Sequence, residues 1–532
     1  MHHTQQLKEL FLKGALSLND SGSSWKSLKL IGRHSRPSYP ENSVEQLNSH
    51  FVSNFQVTHE SVPFVPSDLP SFPLTVSTNE VCALLKSLKN KSPGPDGIPV
   101  WLLRDFACVL SPAITFLFNW SLETGQVPLC FKVANVTPVP KSSPAVEPAN
   151  FRPISLLPIL SKVLERIVAK KWVLPIISPK LHTSQFAYIP GGGKGTSSAL
   201  TLLHHDVVKF LDTSGCVRIL SIDFAKAFDK ILHSMVIEKL VKLNLPSEAI
   251  SWISDFLTDR FQRVKVRDKV SSWQPVISGV PQGSVLGPIL FCVFIDSLHS
   301  VCTNSLTYKY ADDINIVHFV RQQHEDNLQL EYDNVLEWSY YHKLPMNESK
   351  CCVLDITTKK ALVPTSISGP NGLLPQVPTL RILGVTFSQD LRWNTHVDNV
   401  LKKANKRIYF IRNLKRAGCP HSTILMVYNS VIRSQLLYAY SCFCNLKVYL
   451  QEKLLKFERR VFRMAGMTNE VTVIEAGETI CQTLFQKVSS TQDHCLRQCF
   501  SQRETCTRQS LKLRPIKAKT SRLSQSFTRF AR

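Results

Sequence analysis

The chain has 532 residues, 43% of them hydrophobic, and its 63 Lys and Arg residues exceed its 40 Asp and Glu residues, which gives a net charge of +23. This hydrophobic content supports a sizeable buried core and excludes a wholly disordered chain, and the length allows several domains or one large multi-lobed enzyme. The excess of positive charge indicates a polyanionic partner, usually nucleic acid, with a merely basic soluble protein as the alternative.

The start of the chain carries no secretory signal, because no basic region is followed by an apolar run there. No stretch reaches the roughly 18 uncharged apolar residues that a membrane span needs. We therefore predict an intracellular protein, in the cytoplasm, the nucleus or both, whose 15 cysteines are reduced thiols. One C-terminal group could hold zinc, although its spacing fits no standard zinc pattern: Cys481, His494, Cys495, Cys499 and Cys506.

The first part of the chain divides into a polar lead-in and a helical region. Residues 1–65 are predicted to be a linker, and residues 66–134 a helical N-terminal extension. Apolar residues recur there at helical spacing, at Val81, Leu84, Leu85 and Leu88. The predicted helix ends in a run rich in Pro and Gly at residues 91–99, which can only be a loop. That loop is either a nucleic-acid contact or a plain connector, and its local sequence favours the connector.

Strands and helices alternate most clearly between residues 150 and 300. A helical apolar stripe at residues 154–168 follows Asn-Phe-Arg-Pro, the apolar run at residues 217–222 predicts a buried strand, and residues 232–243 predict a helix packed on it. Residues 306–317 alternate and turn at their middle, which predicts a β-hairpin. The region is therefore predicted to be α+β, with an antiparallel sheet at its centre.

Beyond residue 394 the chain becomes helical and basic. Residues 395–418 place apolar side chains on one face and Lys and Arg on the rest, so this helix can pack on a domain and offer a cationic surface to phosphates. A solvated charged face is the alternative. The last 32 residues hold nine Lys and Arg, one Glu and few large apolar side chains, which predicts a disordered basic tail.

Two adjacent aspartates, Asp312 and Asp313, stand in the middle of the predicted hairpin. Adjacent carboxylates repel each other, so a fold that keeps them in apolar surroundings needs an offsetting charge, for which a divalent cation is the natural candidate. An exposed turn is the alternative, because Asp is common in turns.

A third carboxylate, Asp223, follows the strand predicted at residues 217–222 and therefore lies at the edge of a sheet, where ligands bind. Three carboxylates from separated segments suit two Mg²⁺ ions, or Mn²⁺ in their place. One ion would activate a primer 3′-hydroxyl and the other would hold a nucleoside triphosphate, in a phosphoryl transfer that needs mostly positioning and charge neutralisation. Asp229 is predicted to lie in the following helix and is not counted as a ligand.

Three glycines, Gly279, Gly283 and Gly287, recur at every fourth residue around two prolines and precede an apolar helix. Small residues at this spacing let another backbone or a nucleotide come close. A tight packing site between a helix and a strand is the alternative.

Seven short motifs occur in one order between about residue 85 and residue 390. They are Ser-Pro-Gly-Pro-Asp-Gly at 92–97, Asn-Phe-Arg-Pro-Ile-Ser-Leu at 150–156, Ile-Asp-Phe-Ala-Lys-Ala-Phe-Asp at 222–229, Gly-Val-Pro-Gln-Gly-Ser at 279–284, Tyr-Ala-Asp-Asp at 310–313, Asn-Glu-Ser-Lys at 347–350 and Ile-Leu-Gly-Val at 382–385. The ordered set resembles the reverse transcriptases of non-LTR retrotransposons, most like the jockey group, and some thumb-like similarity continues to about residue 465.

The resemblance implies a right-hand polymerase. Its fingers and palm would occupy residues 135–388, a helical basic thumb residues 389–465, and a basic tail residues 466–532. The three aspartates Asp223, Asp312 and Asp313 would be catalytic and would bind two Mg²⁺ ions. The implied partners are an RNA template, a DNA primer and deoxynucleoside triphosphates (dNTPs).

The resemblance also implies residues of a nucleotide site. Phe228 matches the bulky steric gate that excludes a ribose 2′-hydroxyl, with a core Phe as the alternative, and Phe224 is assigned to the same site. Gln282 resembles the glutamine beside the incoming nucleotide, and Arg152 a fingers residue that contacts template or nucleotide. Lys350 is similar to the lysine proposed to protonate pyrophosphate as it leaves, with a surface lysine as the alternative.

The glycine loop at residues 185–196 departs from the family pattern. Many relatives carry Gly-Phe-Arg before a turn rich in Gly, Ser and Thr, and here Ile189 stands at or near the position of that arginine. Lys194 could supply the charge, as a point charge rather than a fork. The endonuclease domain that usually precedes the polymerase is also missing, so we expect the polymerase part of a longer reading frame, to which the family's nicking step cannot be assigned.

We therefore expect an RNA-directed DNA polymerase that extends a primer 3′ end by copying RNA. A nucleic-acid-binding relic that no longer polymerises is the alternative from another class, and an RNA-dependent RNA polymerase is a second alternative.

Overall fold

The computed structural model describes residues 44–55, 69–141, 145, 147–214, 216–320, 326–357, 366–468, 471–501, 514–515 and 526–531. Most of the predicted N-terminal linker and most of the last 32 residues, for which the sequence predicts a disordered tail, lie outside the described residues.

Among the described residues, four α-helices precede the first strand: α1 (Val44–Val52), α2 (Thr78–Lys86), α3 (Val100–Asp105) and α4 (Ala107–Thr124). Helix α2 begins at a capping box, in which Ser77 accepts from the backbone N–H of Glu80 and the Glu80 side chain accepts from the backbone N–H of Ser77. Residues 88–99 form the loop that the sequence predicts between α2 and α3.

A mixed five-stranded sheet, called the fingers sheet here, follows these helices. Its strands are β1 (Val133–Pro140), β2 (Phe151–Leu156), β4 (Arg260–Val266), β5 (Lys269–Val270) and β6 (Gln274–Val276). The order is β2-β1-β4-β5, with β6 also on β4, and only β1 and β4 run parallel.

The predicted helix at residues 154–168 is wrong in its first part. Residues 154–156 belong to β2, and the helix begins only at Ile159. Pro158 disfavours helical backbone at the residue before it, so the apolar residues ahead of that proline pair with β1 instead.

A four-stranded antiparallel sheet, called the palm sheet here, lies at the centre of the chain. Its strands are β3 (Cys216–Ile222), β7 (Ser305–Tyr310), β8 (Asp313–Phe319) and β9 (Cys352–Thr357), in the order β7-β8-β3-β9. The predicted strand at residues 217–222 and the predicted hairpin at residues 306–317 are both confirmed.

Both faces of the palm sheet are buried, which explains why β3 is almost wholly apolar, with Arg218 and Ser221 as its polar residues. Leu220 and Ile222 belong to one hydrophobic core, and Val217 and Ile219 belong to another. Alternate side chains of a strand point to opposite faces, so a strand covered on both faces loses the usual alternation of apolar and polar residues.

Helices cover the two faces of the palm sheet. Helix α5 (Ile159–Val168) continues through a π-helical turn (Ala169–Val173) into Leu174–Ile177. The others are α6 (Thr196–Ser214), α7 (His233–Lys242), α8 (Ser247–Leu257), α9 (Leu286–Phe294) and α10 (Leu328–Tyr341). Helix α7 confirms the helix predicted at residues 232–243, and α9 is the apolar helix predicted after the glycine motif.

The C-terminal part is mainly helical. After the short hairpins β10–β11 (Ser368–Gly369, Gly372–Leu373) and β12–β13 (Thr379–Ile382, Val385–Ser388) come α11 (Asn394–Arg416) and α12 (His421–Val427), which continues through Tyr428–Arg433 and Ser434–Leu436. Then follow α13 (Tyr440–Phe443), α14 (Val448–Ala465), α15 (Val473–Ser490) and the strand pair Phe500–Ser501 and Arg514–Pro515.

Helix α11 is amphipathic, as the sequence predicts. It buries His396, Val397, Ala404, Ile408, Ile411 and Leu414, while most of its Lys and Arg residues are exposed. Helix α15, which also begins at a capping box, lies within the range predicted as a basic tail. The predicted α+β class is confirmed by the palm sheet and the helices around it. No helix in the described part of the chain is long and apolar enough to cross a membrane.

Candidate active site

The three predicted aspartates leave the palm sheet at one end. The register of β3 and β8 pairs Ile222 with Ile314; Asp223 directly follows the first of these residues and Asp313 directly precedes the second. Asp312 lies beside Asp313, in the two-residue turn that joins β7 to β8. The antiparallel pairing of two distant segments thus places the three aspartates at the same end of the palm sheet.

The turn of this hairpin is strained. Ala311 is buried and its φ is 57°, in the left-handed region that residues with a Cβ atom seldom adopt. A positive φ at the first central residue is typical of the tight turns that fit the twist of a β-hairpin. The strain fixes the direction in which Asp312 and Asp313 leave the strands.

Crowding and mutual repulsion raise the pKa values of the paired aspartates. Although Asp313 reaches solvent, desolvation by the surrounding protein, followed by repulsion from Asp312 and Asp223, raises its pKa to about 6. The pKa of Asp312 is raised mainly by desolvation and also by Asp223, while Arg152 and Lys350 lower it. These carboxylates therefore form a cluster of negative charge that the neighbouring cations compensate only in part, as a site for metal ions would.

Lys350 is the cation in direct contact with the cluster. Its Nζ atom donates to Oδ2 of Asp223 at 3.1 Å, and both side chains are partly open to solvent. The 3₁₀ turn at Glu348–Lys350 is held against the end of β3, because the backbone N–H of Asn347 donates to the Asp223 carbonyl at 2.8 Å. The structure thus brings Lys350 to the aspartates.

The glycine-rich loop at residues 278–284 passes between two other backbones. A Cβ atom on Gly279 would lie 2.6 Å from the carbonyl oxygens of Phe228 and Asp229, and one on Gly283 would lie 2.3 Å from the Ser155 carbonyl oxygen. The close approach predicted for these glycines is thus confirmed, and the neighbour is protein backbone on both sides. The loop thereby joins the fingers sheet to the turn that follows β3.

Asp229 does not lie in the helix where the sequence analysis expects it. It ends the 3₁₀ turn Ala227–Asp229, ahead of α7, and is almost fully buried. Gln282 donates from Nε2 to its Oδ1 at 2.7 Å, while desolvation raises the pKa of Asp229 to about 6. Gln282 is therefore engaged by a fourth carboxylate. The prediction that Asp229 lies in the following helix left it out of the site, and only the tertiary fold brings the two side chains together.

The two phenylalanines of the predicted nucleotide site differ in burial. Phe228 is half-buried and stacks on Phe291, with ring centroids 4.5 Å apart. Phe224 is buried, with its ring tilted against Trp338 at 5.9 Å. Phe228 therefore stays partly accessible to solvent, whereas Phe224 belongs to the core.

Two cations at the end of the first hairpin of the fingers sheet act on the carboxylates. Arg152 is exposed on β2 and lowers the pKa of both Asp312 and Asp313. Lys141, just beyond β1, donates to the Ala149 carbonyl at 2.8 Å; desolvation and repulsion from Arg152 lower its pKa, against the attraction of Asp229 and Asp223. Lys141 is absent from the sequence prediction, and its position at a strand end just before Asn-Phe-Arg-Pro could have indicated it.

The structure does not bring Lys194 to the aspartates. Desolvation lowers its pKa, and the charged groups that act on it are Cys495, Cys292 and Asp296. The glycine loop is instead fixed to the C-terminal segment, because the backbone N–H of Cys495 donates to the Gly192 carbonyl at 2.7 Å.

Ile189 and Tyr188 point in different directions at the start of the same loop. Ile189 is buried in the core, so nothing at this position replaces the family's arginine. Tyr188 is 51% exposed and has a φ of 59°. Desolvation raises its pKa, and so do the charges of Tyr310 and Asp312 in the hairpin formed by β7 and β8. The sequence analysis missed Tyr188, since an isolated Tyr in a loop carries no signal of its own.

The chemistry of the donors fits a hard divalent cation, because all three aspartates offer carboxylate oxygens at the end of one sheet. In the conformation described, no group of three or more His, Cys, Asp or Glu side chains in the described residues is gathered closely enough to hold a metal ion. Lys350 already neutralises part of the charge at Asp223. Binding by all three aspartates would therefore require their carboxylates to reorient.

Residues 139–387 match the family model described as reverse transcriptase (RNA-dependent DNA polymerase). The three aspartates, the glycine-rich loop at residues 278–284 and Lys350 all lie inside this matched range. Residues 393–434, in α11 and α12, match a second model, for the N-terminal region of alkylated DNA repair protein alkB homolog 8.

The relatives are polymerases of mobile elements. The chain is 25% identical over 402 residues to a probable RNA-directed DNA polymerase from transposon X-element of Drosophila melanogaster, a match that covers 74% of this chain and 42% of the relative. It is 25% identical over 420 residues to the RNA-directed DNA polymerase from mobile element jockey of the same organism, covering 75% and 43%. The predicted resemblance to jockey-like elements is confirmed, and the chain spans less than half the length of these relatives.

Among solved structures, a telomerase from Candida tropicalis in complex with a fragment of telomeric RNA is similar, with a TM-score of 0.37 and 12% identity over 74% of this chain and 71% of that chain.

Proposed function

We propose that the chain is an RNA-directed DNA polymerase that adds deoxynucleotides to a primer 3′ end on an RNA template. The observation that carries the proposal is the convergence of Asp223, Asp312 and Asp313 at one end of β3 and β8 inside a reverse transcriptase domain. Three carboxylates whose charges act on one another are suited to hold the cations that neutralise a transferring phosphoryl group.

In this mechanism Asp223, Asp312 and Asp313 would hold two Mg²⁺ ions, or Mn²⁺ in their place. When bound, such ions lower the pKa of a primer 3′-hydroxyl and offset the charge of the leaving pyrophosphate. Lys350 holds a proton on Nζ beside Asp223, where it can pass that proton to the departing pyrophosphate oxygen. The strained turn at Ala311 keeps the two hairpin aspartates oriented throughout.

Arg152 and Lys141 would bind the triphosphate of the incoming dNTP, since they are the fingers cations whose charges act on the aspartates. Phe228 would place its ring edge against the sugar and exclude a 2′-hydroxyl, supported from behind by Phe291. Gln282 would contact the nucleotide only after its amide leaves Asp229. Lys194 would not take part, because its charged neighbours lie elsewhere.

An RNA template and a DNA primer are the proposed partners. Two clefts flank the loop at residues 92–97, one of about 460 Å³ that includes Arg263, Lys265 and Arg267, and one of about 170 Å³ that includes Lys91, Lys162 and Arg166. The exposed Lys and Arg residues of α11 add a third cationic surface. Cations on these surfaces would neutralise backbone phosphates without reading the sequence.

The direct test is primer extension with purified protein, poly(rA)/oligo(dT), Mg²⁺ and dTTP. We expect incorporation by the unaltered chain and none by the Asp312→Ala, Asp313→Ala double variant. Asp398→Asn is a matched control, because Asp398 is exposed and forms an ion pair with Lys453 on the protein surface. Absence of incorporation with RNA binding retained would instead favour the nucleic-acid-binding relic, which the burial of Ile189 in place of an arginine keeps as the second candidate.

A companion assay separates DNA synthesis from RNA synthesis. The same reaction with UTP in place of dTTP should give far less product, because the ring of Phe228 would clash with a 2′-hydroxyl. A preference of the unaltered chain for UTP would show that the product is RNA and that the substrate assignment is wrong.

A further inference from the structure

The catalytic turn needs support from outside the hairpin. Ala311 has a left-handed backbone that a residue with a Cβ atom adopts only when its surroundings impose it. The hairpin register ends at the pair formed by Tyr310 and Asp313. The two residues of the turn, Ala311 and Asp312, therefore lie beyond the ladder that holds the rest of the hairpin in place.

Gln185 provides contacts at this point. Its side chain is almost fully buried, and its Oε1 atom accepts from the backbone N–H of Ala311 at 3.2 Å and from that of Ala187 at 2.9 Å. The backbone beside it also pairs with β7, because Phe186 N–H donates to the Lys309 carbonyl and Lys309 N–H donates to the Ser184 carbonyl, both at 2.9 Å. One carboxamide oxygen thus ties the catalytic turn to a neighbouring loop.

The nitrogen of the same carboxamide shows why glutamine stands at this position. Nε2 of Gln185 is buried and has no hydrogen-bond partner in the described part of the chain. A buried donor without a partner is destabilising, and methionine, which has the same length, would avoid that penalty. What glutamine contributes here is therefore the pair of hydrogen bonds that its oxygen accepts.

We propose that Gln185 is the positioning residue of the catalytic turn: it fixes Asp312 and Asp313 through the Ala311 N–H and, through the Ala187 N–H, sets Tyr188 beside them. This inference rests on the proposed function. It assigns Gln185 an indirect role, because the glutamine acts through the backbone of the turn and touches no reacting atom.

The test combines hydrogen exchange with kinetics on the full chain. In Gln185→Met we expect the amide of Ala311 to exchange faster by about tenfold or more, because opening of the turn no longer breaks a hydrogen bond. We expect kcat for dTTP incorporation to fall by between about tenfold and a hundredfold, the scale of a small misplacement of catalytic groups, while KM for dTTP changes by less than about twofold. Gln185→Glu, which keeps an acceptor oxygen, should retain slow exchange at Ala311.

Asn119→Leu is the matched control. Asn119 also fixes a backbone segment with its carboxamide, accepting from Val76 N–H at 2.9 Å and donating to the Val76 carbonyl at 3.0 Å, in the N-terminal helical region. This variant should lower the melting temperature but leave both exchange at Ala311 and kcat unchanged. If Gln185→Met does not fold, Gln185→Asn withdraws the oxygen by one methylene and serves the same comparison.

The outcomes separate the two proposals. Unchanged exchange at Ala311 in the Gln185 variants overturns the positioning role, whatever the kinetics show. Faster exchange with an unchanged kcat overturns it as well, because the turn would then not depend on this support for catalysis. If the unaltered chain incorporates no dTTP, the proposed function fails, and the exchange measurement still decides whether Gln185 holds the turn.

Discussion

The hairpin of β7 and β8 and the glycine loop at residues 185–196 are neighbours in the fold. They differ in how many of the residues expected of a polymerase they contain. The hairpin retains both aspartates, a strained turn and a third carboxylate at the end of the adjacent strand. The glycine loop has a buried isoleucine in place of the family's arginine, and its lysine faces other partners.

We propose that the triphosphate contacts lie in the fingers sheet rather than in the glycine loop. Lys141 and Arg152 supply positive charge near the carboxylates. The glycine loop packs on the C-terminal segment, through the hydrogen bond from the Cys495 N–H to the Gly192 carbonyl. On this proposal, the aspartates of the hairpin keep their role while the Gly192 end of the neighbouring loop serves a structural one.

The largest expected effect falls on the hairpin. Replacing Asp313 with Asn keeps the shape of the side chain but removes a charge that cation binding requires. We expect kcat for primer extension to fall by at least about 10³-fold, beyond the usual cost of losing one electrostatic contact. Single-turnover primer extension measures this. If Asp313→Asn retains more than a tenth of the activity, the hairpin does not carry the catalytic aspartates.

A second prediction compares the fingers sheet with the glycine loop directly. Lys141→Ala and Arg152→Ala should each raise KM for dTTP by about tenfold, which corresponds to about 1.4 kcal/mol of lost binding. Lys194→Ala should change it by less than about twofold, because Lys194 does not act on the aspartates. Steady-state kinetics on the three variants measures these changes in KM. A large rise in KM for Lys194→Ala alone would show that the glycine loop binds the triphosphate.

The sequence could predict the hairpin because its signals are local. Apolar alternation around a turn and an apolar run that ends in Asp223 define the strands, and both were confirmed. The predicted start of α5 is wrong. The apolar residues 154–156 fit a strand as well as a helix, and their pairing with β1 decides for the strand.

Lys141, Tyr188 and Asp229 could not be identified in the same way. Their positions at the site depend on contacts between segments that are far apart in the chain, such as the hydrogen bond from Gln282 to Asp229. Periodicity along the chain carries no information about such contacts. The assignments of individual site residues, and the division of the chain into domains, therefore stay predictions.

The third prediction concerns pH and metal ions at the hairpin. The pKa of Asp313 is raised from 3.8 to about 6, so its contribution to stability is fully present below pH 3.8 and is lost as the pH rises through 6. Mn²⁺ should therefore raise the melting temperature at pH 7.5, by a few degrees, and have little effect at pH 5, where Asp313 is protonated.

Thermal unfolding at the two pH values, with and without Mn²⁺, measures this effect. Asp313→Asn should abolish most of the Mn²⁺-dependent rise in melting temperature. It should leave the pH dependence of stability that comes from Asp206 and Asp229, whose pKa values are also raised to about 6. If Mn²⁺ raises the melting temperature equally at both pH values, the ion binds elsewhere and the hairpin is not the metal site.

The smallest expected effect tests the structural role of the glycine loop. Gly193 has a φ of 65°, and a Cβ atom there would lie 2.0 Å from Nε2 of His494, whereas one on Gly195 would meet nothing within 4 Å and needs no positive φ. Gly193→Ala should therefore lower the free energy of unfolding by about 1–2 kcal/mol from the backbone strain alone. Gly195→Ala should change it by less than about 0.5 kcal/mol.

Denaturant titration gives both values, and primer extension on the same samples supplies the comparison with the hairpin. Because Gly193 lies in the part of the glycine loop that packs on the C-terminal segment, away from Gln185, Gly193→Ala should leave KM for dTTP within about twofold of the unaltered chain. A rise in KM without a loss of stability would mean that the loop still receives the triphosphate. Ile189 would then have replaced the family's arginine without ending the function of the loop.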